Sequence, residues 1–221
     1  MSTSKEKIKT LQRLVGSTQD GIMGNDTLTK FQCKFNVPNK AMVAHFFANV
    51  WHETGGLTIS KESLNYSAKR MMQIFGVGKH SAKLTQAEAN YLVGKPYEFA
   101  ERVYGLGNPK KAQELGNTSK GDGYKYIGRG SLQITGKYSY KELQNSGLVA
   151  SGDSVVDNPE LVEDKYFWQS AINYFNKRGL WNLVSTISDA DTEKVRRRVN
   201  GGLTGIKEVK EYTTRFYNMF K

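Results

Sequence analysis

Residues 40–53 constrain the fold more than any other part of this chain. Met42, Val43, Phe46, Phe47, Val50 and Trp51 recur at i, i+4 and i+8, the spacing of one apolar helical face. The stripe ends at His52-Glu53, and Thr54-Gly55-Gly56 breaks it. At about 100° per residue, Glu53 falls between Met42 and Phe46 on the helical wheel. It therefore projects toward the apolar side at the very end of the helix. Burial there disfavours the charged form of a carboxyl, which is the condition a general acid needs near neutral pH. The alternative is a fraying last turn with Glu53 in water.

The rest of the chain reads as helices separated by breaks. Ile8, Leu11, Leu14 and Val15 form a stripe, Asp20-Gly21-Ile22-Met23-Gly24 a turn, and Asn25-Asp26-Thr27 the start of a helix carrying Leu28, Phe31 and Phe35. Val37-Pro38-Asn39 marks a boundary, dividing a small helical unit (1–38) from the main domain (39–221). Further helices are predicted at about 64–75, 85–104, 137–145, 163–177, 191–199 and 206–219. The stretch from Gly105 to Gly136, centred on 121–136, is too Gly-rich for a helix and too polar for a buried strand. An ordered cleft-lining loop with a short β element suits it. The fold class expected is mostly α with a small β or irregular portion around 121–136.

With 38% hydrophobic residues in 221, the chain is a folded protein and not a disordered one. Its net charge of +11 favours an acidic polymer or an anionic surface as partner. The single cysteine, Cys33, rules out an intrachain disulfide and fits folding in a reducing compartment. The first residues lack an apolar signal core, and no run approaches the roughly 18 apolar residues of a membrane span. A substrate beyond the membrane would need some other route.

Glu53 and Glu62 lie nine residues apart across the Gly-Gly break. A glycosidic bond is hydrolysed between two carboxyl groups, one acid and one base, and a helix end with a loop folding back can supply them. Gln133 and Thr135 alternate along a polar segment and could hold a water or a sugar hydroxyl. Asn65 and Tyr66 could bond or stack a sugar. His52-Glu53 opens like a zinc motif, but Gly56 stands where the second ligand belongs, and no metal or other cofactor is expected. Cys33 between Phe31 and Phe35 reads as a packed thiol. The run Lys194 to Arg198 could bind nucleic acid, but a solvated face with one Arg turned inward to a Glu is favoured, and nucleic acid is not an expected partner. An inward Arg could orient a catalytic carboxylate.

Three segments resemble the signatures of glycoside hydrolase family 19: His52-Glu53-Thr54-Gly55-Gly56, Gly128-Arg129-Gly130-Ser131-Leu132-Gln133-Ile134-Thr135 and Arg198-Val199-Asn200-Gly201-Gly202. They stand in the family's order and span roughly 40–205. Glu62-Ser63-Leu64-Asn65-Tyr66-Ser67-Ala68 is similar to the phage endolysin branch, and Leu11 to Gln32 looks like part of a peptidoglycan-binding domain. That N-terminal unit is either an independent module or packed into the catalytic domain.

The resemblance implies a lysozyme-like α-rich fold and an inverting mechanism, with carboxyl groups about 6.5–9.5 Å apart. It implies Glu53 as general acid, Glu62 as general base and Thr135 as holder of the water. His52, Asn65, Tyr66, Tyr126, Arg129, Gln133, Arg198 and Asn200 are the expected sugar contacts. Ser139 stands where chitinases commonly carry Asn, which points from chitin toward peptidoglycan. The activity expected is that of a monomeric endolysin (a lysozyme or muramidase) that cuts β-1,4 bonds of peptidoglycan strands and lyses the host. It would reside in the host cytoplasm until a holin-type lesion admits it to the wall. A chitinase of the same family, a non-catalytic wall-binding protein and a nucleic-acid-binding protein are the competing readings.

Overall fold

A computed structural model describes residues 3–220. Among the described residues twelve α-helices follow one another: α1 Ser4–Val15, α2 Asn25–Lys34, α3 Lys40–Glu53, α4 Ala68–Phe75, α5 Gln86–Leu92, α6 Pro96–Val103, α7 Pro109–Leu115, α8 Asp122–Lys125, α9 Lys137–Gln144, α10 Phe167–Lys177, α11 Asp189–Asn200 and α12 Ile206–Tyr217. Among the described residues, β pairing is confined to isolated bridges, including Lys61 with Arg129 and Arg129 with Ile134. The mostly α class is observed.

Helix ends follow the polar residues that satisfy free backbone N–H groups. Asn39 accepts from Met42 N ahead of α3, Ser67 from Arg70 N ahead of α4, and Ser188 from Asp191 N ahead of α11. Thr85 and Glu88 form a reciprocal capping box at α5.

The Gly105–Gly136 stretch departs from its expected loop character, since α7 and α8 lie within it. Three of its glycines, Gly116, Gly121 and Gly136, are helix caps. Pro109 opens α7, where its missing N–H costs nothing, and Gly116 closes it at φ 72°. The single turn of α8 is held from outside, because the Glu101 carboxylate accepts from Gly121 N (3.0 Å) and Tyr124 N (2.9 Å). The expected β element in 121–136 is reduced to the Arg129–Ile134 bridge.

The chain divides into two compact units, Met1–Ser60 with Asp164–Lys221, and Lys61–Glu163. In the first, α12 lies along α3, and an aromatic core joins Phe31, Phe46, Phe47, Phe175 and Trp181 at ring separations of 4.8–6.2 Å. Helix α1 is tied to this body. Lys7 is buried, its ammonium donates to Leu57 O (2.9 Å), and its carbonyl accepts from Trp168 Nε1 (2.8 Å). Ser4 Oγ donates to Gly56 O (2.9 Å). The boundary between the two units falls after Ser60.

The second unit has its own core of Leu64, Met71, Phe75, Leu84, Leu92, Phe99, Val103 and Ile127. Arg129 is buried and braces the loop after α8. Its Nε donates to Glu163 (2.8 Å), and its Nη1 donates to Lys125 O (2.8 Å) and Tyr140 OH (3.0 Å).

Candidate active site

Within the second unit, the chain leaving Ser60 enters beside the Gly128 strand-like turn. Glu62 N donates to Gly128 O (2.9 Å), and Gly128 N donates back to Glu62 Oε1 (2.6 Å). The other carboxylate oxygen accepts from Tyr104 OH (3.1 Å), at the C-terminus of α6. Two donors therefore converge on one carboxylate. Burial nevertheless pushes the Glu62 carboxyl above its ordinary value, and the Gly128 and Tyr104 hydrogen bonds and the Arg129 charge pull back against it. Tyr104 itself is driven up by burial and by the Glu62 charge, so its hydroxyl stays a donor.

Gly128 explains why glycine is needed here. A Cβ on it would lie 2.7 Å from Gln133 Oε1, 3.2 Å from Thr135 Oγ1 and 3.3 Å from Glu62 Oε1. The tips of Glu62, Gln133 and Thr135 therefore gather around one bare backbone position. Gln133 holds φ 48°, a left-handed conformation. Its Nε2 donates to Gly130 O (3.2 Å), and Thr135 Oγ1 donates to Gln133 O (3.2 Å). A carboxylate beside a hydroxyl and an amide oxygen can accept a proton from a bound water.

Other expected positions in this unit fare differently. Asn65 is exposed and Tyr66 half-buried, with its ring against Phe75 and Phe99. Tyr126 and Arg129, expected to touch sugar, are buried and bonded to partners inside the unit. Tyr126 packs at a tilt against Tyr140 and donates to Val156 O (3.0 Å). The three bonds of Arg129 use its guanidinium inside the unit.

Within the first unit, Glu53 ends α3 and pairs with Arg196 Nη1 at 2.5 Å. The expected apolar surroundings of Glu53 are thus replaced by a guanidinium. Arg196 is buried, and it also donates to Asn49 Oδ1 (3.2 Å) and, through Nε, to Thr204 O (2.8 Å). Asn49 Nδ2 donates to His45 O (2.9 Å). His45 Nε2 meets Thr186 O at 2.9 Å, so that nitrogen carries the proton, and burial lowers the ring's pKa. His45, Asn49 and Glu53 are spaced four apart on one face of α3.

Arg196 is the inward arginine of the basic run, while Arg197, Arg198 and Asn200 are exposed. Tyr174 OH donates to Arg198 O (3.2 Å) and Val199 O (3.0 Å) and so secures that helix end. The His52 ring lies over Gly205, where a Cβ would come within 2.1 Å of it. Sequence reasoning missed Asn49 and Tyr104. The four-residue spacing to Glu53 pointed to the first, but no local signal marks Tyr104.

No family profile matches the chain. A Haemophilus influenzae protein described as a glycosyl hydrolase family 19 domain-containing protein is 34% identical over 173 residues, covering 77% of this chain and 76% of that protein. The chain belongs to glycosyl hydrolase family 19. As a member it is placed among the glycosidases. Chitinase C from Streptomyces griseus HUT6037 is similar with 17% identity, TM-score 0.46 and coverage of 100% of this chain and 94% of that one. A point mutant of chitinase C is similar with 21% identity, TM-score 0.42 and coverage of 82% and 72%.

Proposed function

We propose that this family 19 member is an endolysin-type muramidase that hydrolyses β-1,4 bonds of peptidoglycan with inversion. Glu62 acts as general base, Thr135 helps to hold the attacking water, and Glu53 protonates the leaving oxygen. The observation that carries the proposal is the Glu62 cluster. Both carboxylate oxygens accept from donors, and burial raises the pKa above its ordinary value, which makes the carboxylate a stronger base. Arg196 supports Glu53 as an oriented carboxyl group. Gln133 and Asn200 would bond sugar hydroxyls or acetamido groups, with Asn65, Tyr66, His52 and Arg198 nearby in sequence. The net charge of +11 favours an anionic wall. Helices α1 and α2 act as part of the catalytic body, an assignment supported by the Lys7 and Ser4 bonds to the turn after α3. The enzyme works as a monomer and reaches the wall through a lesion made by a holin-type partner.

Digestion of purified peptidoglycan, followed by mass spectrometry, tests this. Wild type should release disaccharide fragments with intact stem peptides, and Glu53→Gln and Glu62→Gln should release none. Activity on chitin oligomers with no peptidoglycan cleavage would transfer the assignment to a chitinase. Binding to the wall without any product would make the protein a non-catalytic wall binder.

A further inference from the structure

One buried amide in the second unit bonds to the segments on both sides of the Glu62 cluster. Asn117 is 1% exposed and follows Gly116, the cap of α7. Its Nδ2 donates to Tyr104 O (2.9 Å), and its Oδ1 accepts from Lys137 N (2.9 Å). Its own N–H donates to Ala112 O (2.9 Å), which fixes it to α7. Both side-chain bonds go to helix ends. Tyr104 caps α6 at its C-terminus, and Lys137 opens α9, whose Gly136 cap has no side chain to offer. Free backbone groups at helix ends need such partners, and here one amide serves two ends.

Those two ends carry the surroundings of Glu62. Tyr104 OH donates to Glu62 Oε2 (3.1 Å). Thr135, two residues ahead of Lys137, has its Oγ1 beside the bare Gly128 position that Glu62 Oε1 also approaches. The junction below them is tight. A Cβ on Gly136 would lie 2.6 Å from Leu115 Cβ and 2.8 Å from Leu115 O, and one on Gly116 would lie 2.6 Å from the Tyr138 ring. The start of α9 therefore rests on the end of α7, and the Asn117 amide ties that junction to Tyr104. These bonds go to backbone atoms, so the influence of Asn117 on Glu62 passes through Tyr104 and the Thr135 segment.

We propose that Asn117 is a positioning residue for hydrolysis, holding the Tyr104 and Thr135 hydroxyls in register around Glu62. The proposal rests on the reading of Glu62 as general base. Other groups that act on the Glu62 charge are held independently. Arg129 is bonded to Glu163, Lys125 O and Tyr140 OH, and Tyr140 OH donates to Ile127 O (2.7 Å). The Tyr66 ring packs on Phe75 and Phe99, and Lys61 pairs with Glu163 (3.6 Å). Loss of the Asn117 amide leaves these in place and releases Tyr104. The Tyr104 bond favours the charged carboxylate, so releasing it raises the Glu62 pKa. The acid limb of the rate profile, where the base becomes protonated, then moves to higher pH.

The test is the pH dependence of kcat and KM on a soluble peptidoglycan oligosaccharide for Asn117→Ala, Tyr104→Phe, the double variant and Gln144→Ala. Gln144 is the control, because its amide also spans two backbone groups of this unit, Asp153 O (3.1 Å) and Val155 N (2.8 Å). Asn117→Ala should lower kcat at least about tenfold through misplaced groups, change KM less, and move the acid limb upward. Tyr104→Phe should move the limb likewise, and adding Asn117→Ala to it should move it no further. Gln144→Ala should lower Tm and leave the profile unchanged. Asn117→Ser, which keeps a hydroxyl at this position, replaces the alanine variant if that one does not fold. A lowered Tm with a wild-type profile for Asn117→Ala overturns the proposal, and so does a further limb shift in the double variant. Glu62→Gln separates the two levels. If it is inactive, an unmoved Asn117→Ala profile removes the positioning role alone, whereas wild-type rates for Glu62→Gln remove the base reading itself.

Discussion

Glu62 has a carboxyl raised by burial, and the sign of its effect on stability follows from that. The folded state binds its proton more tightly than the unfolded state does. Its contribution is therefore full below the unfolded carboxyl pKa and is lost as pH rises through the folded value. Glu62→Gln keeps an acceptor for Gly128 N and carries no charge. Thermal unfolding from pH 4 to pH 7 should show the variant's Tm gaining on wild type as pH rises; a constant gap would mean that Glu62 is solvated. Gly128 gives a second expectation at this scale. An alanine Cβ would meet only the tips of Gln133, Thr135 and Glu62, all flexible side-chain ends. Gly128→Ala should leave Tm within about 3 °C, a cost of no more than about 1 kcal/mol. It should lower kcat at least about tenfold through displaced groups. Circular dichroism melts beside initial rates would check both.

At the scale of elements, α3 and α11 meet through Arg196, which serves Asn49, Glu53 and Thr204 O at once. Arg196→Met removes a buried charge and leaves Glu53 and Asn49 without their donor. The expected cost is about 2–4 kcal/mol, below the range for fully buried pairs because the Glu53 side chain is 27% exposed. That corresponds to a fall in Tm of roughly 5–12 °C. Arg196→Lys should recover only part of it, since an ammonium cannot present the same planar fork. Differential scanning calorimetry of the two variants decides this.

The same elements show what the sequence made legible. The α3 stripe was plain because its apolar period is strong and Asn39 and Gly55 bracket it. An inward arginine in the run 194–198 could be anticipated, but not which one, because periodicity alone does not say where α3 lies. The helices α7 and α8 were hidden. Gly116 and Gly121 cap them, and Glu101, twenty residues earlier in the chain, holds the backbone of α8. Tyr126 and Arg129 lie in a motif whose backbone gathers the tips of Glu62, Gln133 and Thr135, and their own side chains bond within the unit. Their true partners, Val156 O and Glu163, are far along the chain.

At the scale of the whole molecule, a net charge of +11 should act on encounter and not on bond cleavage. Raising salt from 0.1 M to 1 M shortens the screening length from about 10 Å to about 3 Å. Sacculus digestion should slow markedly across that range, and cleavage of uncharged soluble oligomers should hardly change. Equal slowing of both would place the salt effect in the catalytic machinery.

The roles of the two carboxyl groups are tested most directly by varying the leaving group. A general acid is dispensable when the departing oxygen is already a weak base, whereas the base that activates water is not. Rates should be measured for a soluble peptidoglycan oligosaccharide and for the same sugar bearing a dinitrophenyl leaving group. On the activated substrate, Glu53→Gln should regain most of the wild-type rate, while Glu62→Gln stays inactive on both. Rescue of Glu62→Gln with Glu53→Gln remaining inactive would reverse the assignment and contradict the account.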